Sequence, residues 1–235
     1  MIPQVQPLNY GGETSPSSFV DAILLLHLNG ANAGVSFPDN SSFARTATKV
    51  GTVTTSTAQS IYNGSSGLYS GTSSYLEFPA STDFNFGSGD FTIQAAVRPT
   101  TTAAVQTIIT NRAVPASDVG WFFYLFNNQL GFLAWSSPFV ECINLVGGSV
   151  PINTWAQVAV RKLGSMTTLW VNAVEVAHSV YTGSIANSAG KIWVGEYTGV
   201  GPMKITVLKD GLTKNHGYSR LVQDNEYHGM QACGI

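Results

Sequence analysis

Two aspartates in the stretch DFNFGSGDFTIQAAVRP could do chemistry, because Asp83 and Asp90 flank a glycine-containing loop just before an alternating apolar run. Glycoside hydrolysis requires two carboxyls held a fixed distance apart across a sugar cleft. No predicted strand carries such a pair, since Glu77, Glu141 and Glu196 each stand alone. Aspartate favours turns through bonds between its side chain and the local backbone. We therefore interpret the two aspartates as turn residues and predict a protein that is not an enzyme.

A second polar loop, SFPDNSS, contains Asp39, Asn40 and Ser41, whose oxygens are of the kind that calcium prefers. A single carboxylate makes a weak site, so an Asx turn is the favoured alternative to calcium binding. Nucleophile-elbow, P-loop and dinucleotide-binding motifs are absent. Calcium at Asp39 and Asn40 is thus the one candidate cofactor. Zinc is not expected, because the histidines do not fall at HxxxH or HxH spacing: His27, His178, His216 and His228.

Aromatic side chains are the remaining candidates for ligand contacts, because a Trp or Tyr ring can stack on the apolar face of a sugar. The candidates near predicted strand ends or loops are Trp121, Tyr124, Trp135, Tyr181 and Tyr197. Core packing is the default for the tryptophans inside predicted strands, Trp155, Trp170 and Trp193. A subunit interface is the third alternative, since aromatic residues are enriched in interface cores.

The composition excludes several classes of protein. Charged residues make up 10% of the chain, against roughly 25% in ordinary domains, and the net charge of −2 gives no field to attract phosphates. Nucleic acid is therefore not an expected partner. No run of eighteen apolar residues occurs, and the first residues do not resemble a signal peptide, so we expect synthesis in a cytoplasm and no membrane insertion. Cys142 and Cys233 are then expected to be free thiols.

The pattern of the chain predicts an all-β protein. Alternating apolar runs separated by Gly, Ser, Asn or Pro recur about every ten residues, and helical periodicity is almost absent. In the strand that follows Asp90, one side is apolar and the other mostly polar, so we expect it to bury one face only. Ten predicted strands suit two packed sheets: residues 22–28, 75–79, 91–99, 107–112, 121–126, 130–135, 155–162, 167–173, 191–196 and 203–208.

The segment WFFYLFNNQLGFLAW predicts a hairpin that turns at Asn127 and Asn128, two residues that tolerate left-handed backbone. The hairpin is apolar on both faces. One face can fill the core, and the other must meet a covering loop, a subunit or a ligand.

The ends of the chain differ from its middle. Residues 1–18 and 209–235 lack a sustained period and are interpreted as arms around a central domain, residues 19–208. Each arm contains apolar anchors that suit docking on a neighbour: Ile2, Val5 and Tyr10 in the first, and Tyr218, Leu221 and Tyr227 in the second.

Several phrases, taken in order, resemble the laminin-G-like, concanavalin A-like jelly-roll family: LLLHLNG, SFPDNSSFARTAT, SGLYSGTSSYLEFP, DFNFGSGDFTIQAAVRP, NTWAQVAVRK and LWVNAVEVA. The resemblance covers about residues 20–208 and implies a two-sheet antiparallel jelly-roll β-sandwich. The LLLHLNG segment near the start and the Ser/Thr/Gly-rich composition look most like the domains of this family found in tailed bacteriophage virion and tail-associated proteins. A departure is the turn after LWVN, where Ala173 stands in place of the usual glycine.

The resemblance implies a bacteriophage virion setting, and we expect a non-catalytic protein there, either a capsid decoration or a tail- or fibre-associated protein. Its expected partners are other virion proteins, copies of itself and a cell-surface glycan. The alternative is a lectin-like adhesin module, with or without calcium. A glycoside hydrolase or lyase is the least favoured hypothesis.

Overall fold

The computed structural model describes residues 22–61, 64–69, 74–102, 105–112 and 119–195, together with the backbones of two strands, 203–206 and 212–214. The candidate ligand residue Tyr197, Cys233 and the six arm anchors lie outside these residues, so what was predicted for them stays a prediction: Ile2, Val5, Tyr10, Tyr218, Leu221 and Tyr227. No helix in the described part of the chain is long and apolar enough to cross a membrane.

The described residues form an antiparallel β-sandwich, which confirms the predicted fold class. One short 3₁₀ helix, Thr82–Phe84, precedes the central strand of the first sheet. The strands are β1 (Ala22–Leu24), β2 (Thr48–Val50), β3 (Thr54–Ser56), β4 (Ser66–Tyr69), β5 (Tyr75–Phe78), β6 (Phe91–Pro99), β7 (Val105–Thr110), β8 (Gly120–Phe126), β9 (Gln129–Ser137), β10 (Val140–Ser149), β11 (Ala156–Leu163), β12 (Met166–Val171), β13 (Val174–Val180), β14 (Ile192–Gly195), β15 (Met203–Thr206) and β16 (Leu212–Lys214).

Two sheets share these strands. The first has the order β13-β12-β11-β6-β15-β4-β3, and β16 joins it by pairing with β6 and with β1. The second has the order β10-β9-β8-β7-β14-β5-β2. β16 falls within residues 209–235, which the sequence analysis assigned to an arm, so part of that segment belongs to the sandwich.

The core lies between the two sheets. From the first sheet it receives the inward side of β6, where Phe91, Ile93 and Val97 are at most 2% exposed. The outward residues Thr92 and Gln94 are nearly buried as well, so the prediction that this strand buries one face only is wrong. β6 lies in the middle of its sheet, so its short outward side chains are flanked by outward side chains of neighbouring strands, such as Arg161 opposite Thr92.

Several hairpins turn at residues whose backbone is in the left-handed region. Asn127 and Asn128 between β8 and β9 have φ values of 48° and 62°, as their residue types predicted. Asn172 and Ala173 between β12 and β13 are also left-handed, with φ of 49° and 64°. Between β9 and β10 the left-handed residue is Phe139, whose side chain is 66% exposed.

One side of the sandwich is closed by a contact between β10 and β13. A Cβ atom on Gly147 would lie 2.6 Å from the carbonyl oxygen of Val176 in β13. The next residue, Gly148, has φ of 66° and faces the same valine. The two glycines therefore allow the edges of the two sheets to approach each other at this point.

Candidate ligand-binding surface

The two aspartates of the opening motif hold structure together. Asp83 lies in the 3₁₀ helix, where it accepts a hydrogen bond from the Ser81 hydroxyl (2.6 Å) and pairs with the Arg45 guanidinium (2.5 Å). Asp90 accepts a hydrogen bond from the backbone N–H of Gly164 (2.7 Å), in the turn between β11 and β12. Both carboxylates thus have structural partners, but these partners, Arg45 and Gly164, are distant in sequence and are not the local backbone groups of a turn.

Asp39 is also fully engaged. Its Oδ1 accepts hydrogen bonds from the backbone N–H groups of Leu25 (3.0 Å) and Ser41 (2.9 Å), and its Oδ2 accepts one from that of Arg45 (3.0 Å). The bond to Ser41, two residues on, is the Asx turn that was the alternative to calcium. A calcium ion would have to displace these donors, so the geometry favours the Asx turn over calcium at Asp39 and Asn40. Among the described residues, no three His, Cys, Asp or Glu side chains converge to hold a metal ion.

Trp121 is a core residue. Its exposure is 0%, its Nε1 donates to the carbonyl oxygen of Phe84 (2.9 Å), and its ring stacks on that of Phe86 with a centroid distance of 5.1 Å. A sugar cannot reach this indole, which corrects its placement among the ligand candidates.

The outward face of the β8–β9 hairpin forms a second, separate cluster. Phe122, Tyr124 and Trp135 are 6%, 8% and 2% exposed, and the rings of Phe122 and Tyr124 stack with a centroid distance of 4.5 Å. The Arg112 guanidinium lies 4.9 Å from the Trp135 ring centroid. Because their side chains are at most 8% exposed, Tyr124 and Trp135 present no free face for stacking. Burial, followed by the charge of Glu141, raises the pKa of the Tyr124 hydroxyl.

Tyr181 is the one predicted ligand aromatic in the described residues that is not buried. It is half-buried at the end of β13, and its backbone N–H donates to the carbonyl oxygen of Ser165 (2.8 Å). The members of the predicted aromatic set that the structure describes, Trp121, Tyr124, Trp135 and Tyr181, therefore do not meet at one exposed surface.

Partly exposed aromatic surface occurs instead on β5 and β14, at the outer face of the second sheet. We call the side chains Tyr75, Glu77, Lys191 and Trp193 the Trp193 platform. The intervening residues point into the core, so these four point outward. The Trp193 and Tyr75 rings, both half-buried, have centroids 5.5 Å apart and are tilted by 43°.

Hydrogen bonds fix the platform. Glu77 lies directly opposite Trp193 in the β5–β14 pair and accepts from its Nε1 (3.0 Å). Its other oxygen accepts from the Lys191 ammonium (2.6 Å), which is 56% exposed. Burial disfavours ionisation of Glu77, but the two hydrogen bonds and the charge of Lys191 outweigh it and hold the pKa of this carboxyl below its usual range. The platform thus combines fixed aromatic surface with an ionised carboxylate and an exposed ammonium.

This platform was not predicted, because Trp193 lies inside a strand and was therefore expected in the core. The alternation of residue types along β14 could have shown that Trp193 faces outward. Lys191 and Trp193 share one side of β14, opposite the core residues Ile192 and Val194. An indole on the same side as a lysine is expected to face solvent.

Comparisons with known proteins agree with the fold. The family described as the Concanavalin A-like lectin/glucanases superfamily matches residues 70–204. No curated protein matches the chain. Among solved structures, the binding domain of Paraclostridial Mosquitocidal Protein 1 is similar with a TM-score of 0.69 and 14% identity, covering 89% of this chain and 53% of that one.

Botulinum neurotoxins provide further similar structures. Botulinum neurotoxin type C, which depends on interaction with two ganglioside molecules to enter cells, has a TM-score of 0.67 and 15% identity, covering 89% of this chain and 52% of that one. The binding domain of botulinum neurotoxin DC, in complex with rat synaptotagmin II, has a TM-score of 0.61 and 16% identity, covering 79% and 46%. The chain spans about half the length of these structures, and the low identities show a shared fold alone. Because the family match extends over more than half of its residues, the chain belongs to the Concanavalin A-like lectin/glucanases superfamily.

Proposed function

We propose that this protein is a lectin-like, non-catalytic glycan-binding module and that the Trp193 platform is its sugar contact. The observation that carries the proposal is an outward-facing pair of aromatic rings held beside a carboxylate and an ammonium. Sugar rings have an apolar face for stacking and a rim of hydroxyls that need donors and acceptors. Binding sites of this kind combine aromatic surface with a few precisely placed polar groups.

The polar groups keep capacity for a ligand. An ionised carboxylate has about four acceptor positions, and the described hydrogen bonds to Glu77 come from two donors, Lys191 and Trp193. Lys191 has three N–H donors in principle and remains 56% exposed. The same bonds fix the side chains before a ligand arrives, which lowers the entropy cost of binding.

The partners of Glu77 favour binding over hydrolysis. A glycosidase needs a second carboxyl across the sugar from the first. The described hydrogen-bond partners of Glu77 are instead an ammonium and an indole. The ganglioside dependence of botulinum neurotoxin type C, a structure of similar fold, is in keeping with glycan binding by this module.

We further propose a bacteriophage particle as the setting, with the module acting as a capsid decoration or as a tail- or fibre-associated protein. The support is the resemblance of its LLLHLNG segment and its Ser/Thr/Gly-rich composition to virion domains. The assay is immunodetection of the protein across a density gradient of purified particles. Comigration with particles is the expected result, and recovery in the soluble fractions alone would refute the virion setting.

The test of glycan binding is a glycan array probed with the wild type, Trp193→Ala, Glu77→Gln and the matched control Phe126→Ala. Phe126 is a 41% exposed aromatic on the same sheet but outside the platform. A pyranose covering about 60 Å² of indole gains about 1.5 kcal/mol at about 25 cal/mol per Å². Trp193→Ala should therefore weaken binding about tenfold, Glu77→Gln by less, and Phe126→Ala not at all.

Two results would contradict the proposal at different levels. The absence of binding to any glycan would remove the lectin-like function. Binding that persists unchanged in Trp193→Ala would keep the function but exclude the platform as its site.

A further inference from the structure

We propose that the inner side of the first sheet binds a small monovalent anion of the halide type, held by the Lys162 ammonium and the hydroxyls of Thr167 and Ser179. We call these three side chains the Lys162 row. The row crosses the neighbouring strands β11 and β12 and the edge strand β13. This site is independent of the proposed glycan binding.

Strand register places the three side chains next to one another. Lys162 lies directly opposite Thr167 in the β11–β12 pair, and Thr167 lies directly opposite Ser179 in the β12–β13 pair. The Cβ atoms of directly opposite residues are about 5 Å apart. All three side chains face the interior, because the residues two positions away on each strand belong to the core or pack against it: Val160, Leu169 and Ala177.

Lys162 brings a positive charge into this interior. Its side chain is 2% exposed, and its ammonium donates to the carbonyl oxygens of Ser88 (2.8 Å) and Gly164 (2.6 Å). The carboxylate of Asp90, beside the residue opposite Lys162, accepts from the Gly164 N–H instead. Within the described part of the chain, Lys162 forms no ion pair with an acid. An ammonium has three N–H donors, so one donor and the net charge are left for an anion, and a buried charge is costly unless it is paired.

The two hydroxyls of the row are also without partners. Thr167 is 0% exposed, the Ser179 Oγ is buried, and neither hydroxyl has a hydrogen-bond partner among the residues that the structure describes. A buried polar group in this state has lost its hydration without compensation. Although the two residues are directly opposite each other, their hydroxyls do not bond together. A single acceptor between them would satisfy both.

The chemistry of the row selects the class of ligand. An ammonium can only donate hydrogen bonds, and each hydroxyl has a proton to donate. A halide ion accepts from several donors at once, and its single charge balances that of Lys162. A water molecule would accept the same bonds but leave the ammonium charge unbalanced. The ion can enter beside Ser179, because the residues of the edge strand β13 are exposed or half-buried.

The experiment is urea unfolding in mixtures of sodium chloride and sodium gluconate at constant ionic strength. For the wild type, each tenfold rise in chloride above the dissociation constant should raise the ratio of folded to unfolded protein about tenfold. Thr167→Val, which replaces the hydroxyl with a methyl group, and Ser179→Ala should lose most of this response. The matched control Thr168→Val, which changes the neighbouring residue on the outer side of β12, should keep it.

Gluconate alone shows what the Thr167 hydroxyl does without the ion. There, Thr167→Val should be at least as stable as the wild type, because the substitution removes an unsatisfied buried hydroxyl. In high chloride the order should reverse. A wild type that does not respond to chloride, or an equal response in Thr167→Val, would refute the anion site. Should Thr167→Val fail to fold, Ser179→Ala decides, since a full chloride response in that variant refutes it as well.

Bromide gives an independent test of the position. Crystals of the wild type grown in sodium bromide should show an anomalous scattering peak between Lys162 Nζ, Thr167 Oγ1 and Ser179 Oγ. Density for water without anomalous signal at this point would overturn the proposal.

Discussion

Replacing Asp39 with alanine should destabilise the protein by about 4 kcal/mol, whether or not calcium is present. The carboxylate is the shared acceptor for three backbone N–H groups, and its side chain is fully shielded from solvent. Alanine would leave these donors without a protein partner. The expected effect is therefore large for a single substitution on a loop.

The magnitude follows from the burial of each bond. A buried donor left unsatisfied costs about 1–3 kcal/mol. The bonds from Leu25 and Ser41 are buried, and the one from Arg45 is partly buried. Two losses of about 1.5 kcal/mol and one of about 1 kcal/mol give about 4 kcal/mol. The isosteric control Asp39→Asn keeps one acceptor oxygen and should lose about half as much.

The assay is urea unfolding of the wild type and both variants, in calcium and in a chelator. The structural role predicts the same free-energy losses in both buffers and an unchanged urea dependence. A loss confined to the calcium buffer would show that Asp39 acts through an ion. A loss below about 1 kcal/mol in both would show that the three backbone bonds contribute little, and either result would refute the reasoning.

Three further substitutions test other features by urea unfolding. Gly131→Ala should cost about 1–3 kcal/mol, because the new Cβ would lie 2.5 Å from the Tyr124 ring in a packed cluster; an unchanged midpoint would contradict this packing. Folding lowers the pKa of the Glu77 carboxyl, so its ionised form should stabilise the fold at pH values above its ordinary pKa of 4.5. This stabilisation should be lost as the pH falls through the pKa that Glu77 has in the folded protein. Glu77→Gln should flatten this part of the stability profile, and an unaltered acid limb would argue against the ion pair. Phe139→Gly should gain about 0.5 kcal/mol, because relief of a left-handed backbone penalty of about 1–2 kcal/mol exceeds the added chain entropy of glycine; a loss of stability would show that the exposed ring makes contacts of its own.

The sandwich could be predicted because most of its long strands carry an alternating pattern. β10 was missed, since Gly147 and Gly148 interrupt the alternation where the strand approaches β13. β13 was missed because it is an edge strand that is exposed or half-buried throughout. The three-residue strands β2, β3 and β16 are too short to show an alternating pattern, and only their pairing with other strands identifies them.

The candidate site was harder to predict, and the tryptophans show why. In β8 both faces are apolar, so nothing in the sequence says which side of the strand Trp121 takes. In β14 a lysine marks the outer side, but a rule that places every strand tryptophan in the core ignores this marker. The hydrogen bonds from Trp193 to Glu77 and from Trp170 to Thr168 depend on strand register and on rotamer, which periodicity does not encode.

The order of the strands has a consequence for synthesis on the ribosome. β5 pairs with β14, β6 with β15 and β1 with β16, so each early strand waits for a partner made more than a hundred residues later. At about 5–20 residues per second, this interval is on the order of ten seconds. During that time the nascent chain exposes strand edges that are prone to pairing with other chains. Few charged residues are available to discourage such pairing. Faster translation shortens the time during which these edges are unpaired, so we expect it to raise the yield of folded protein.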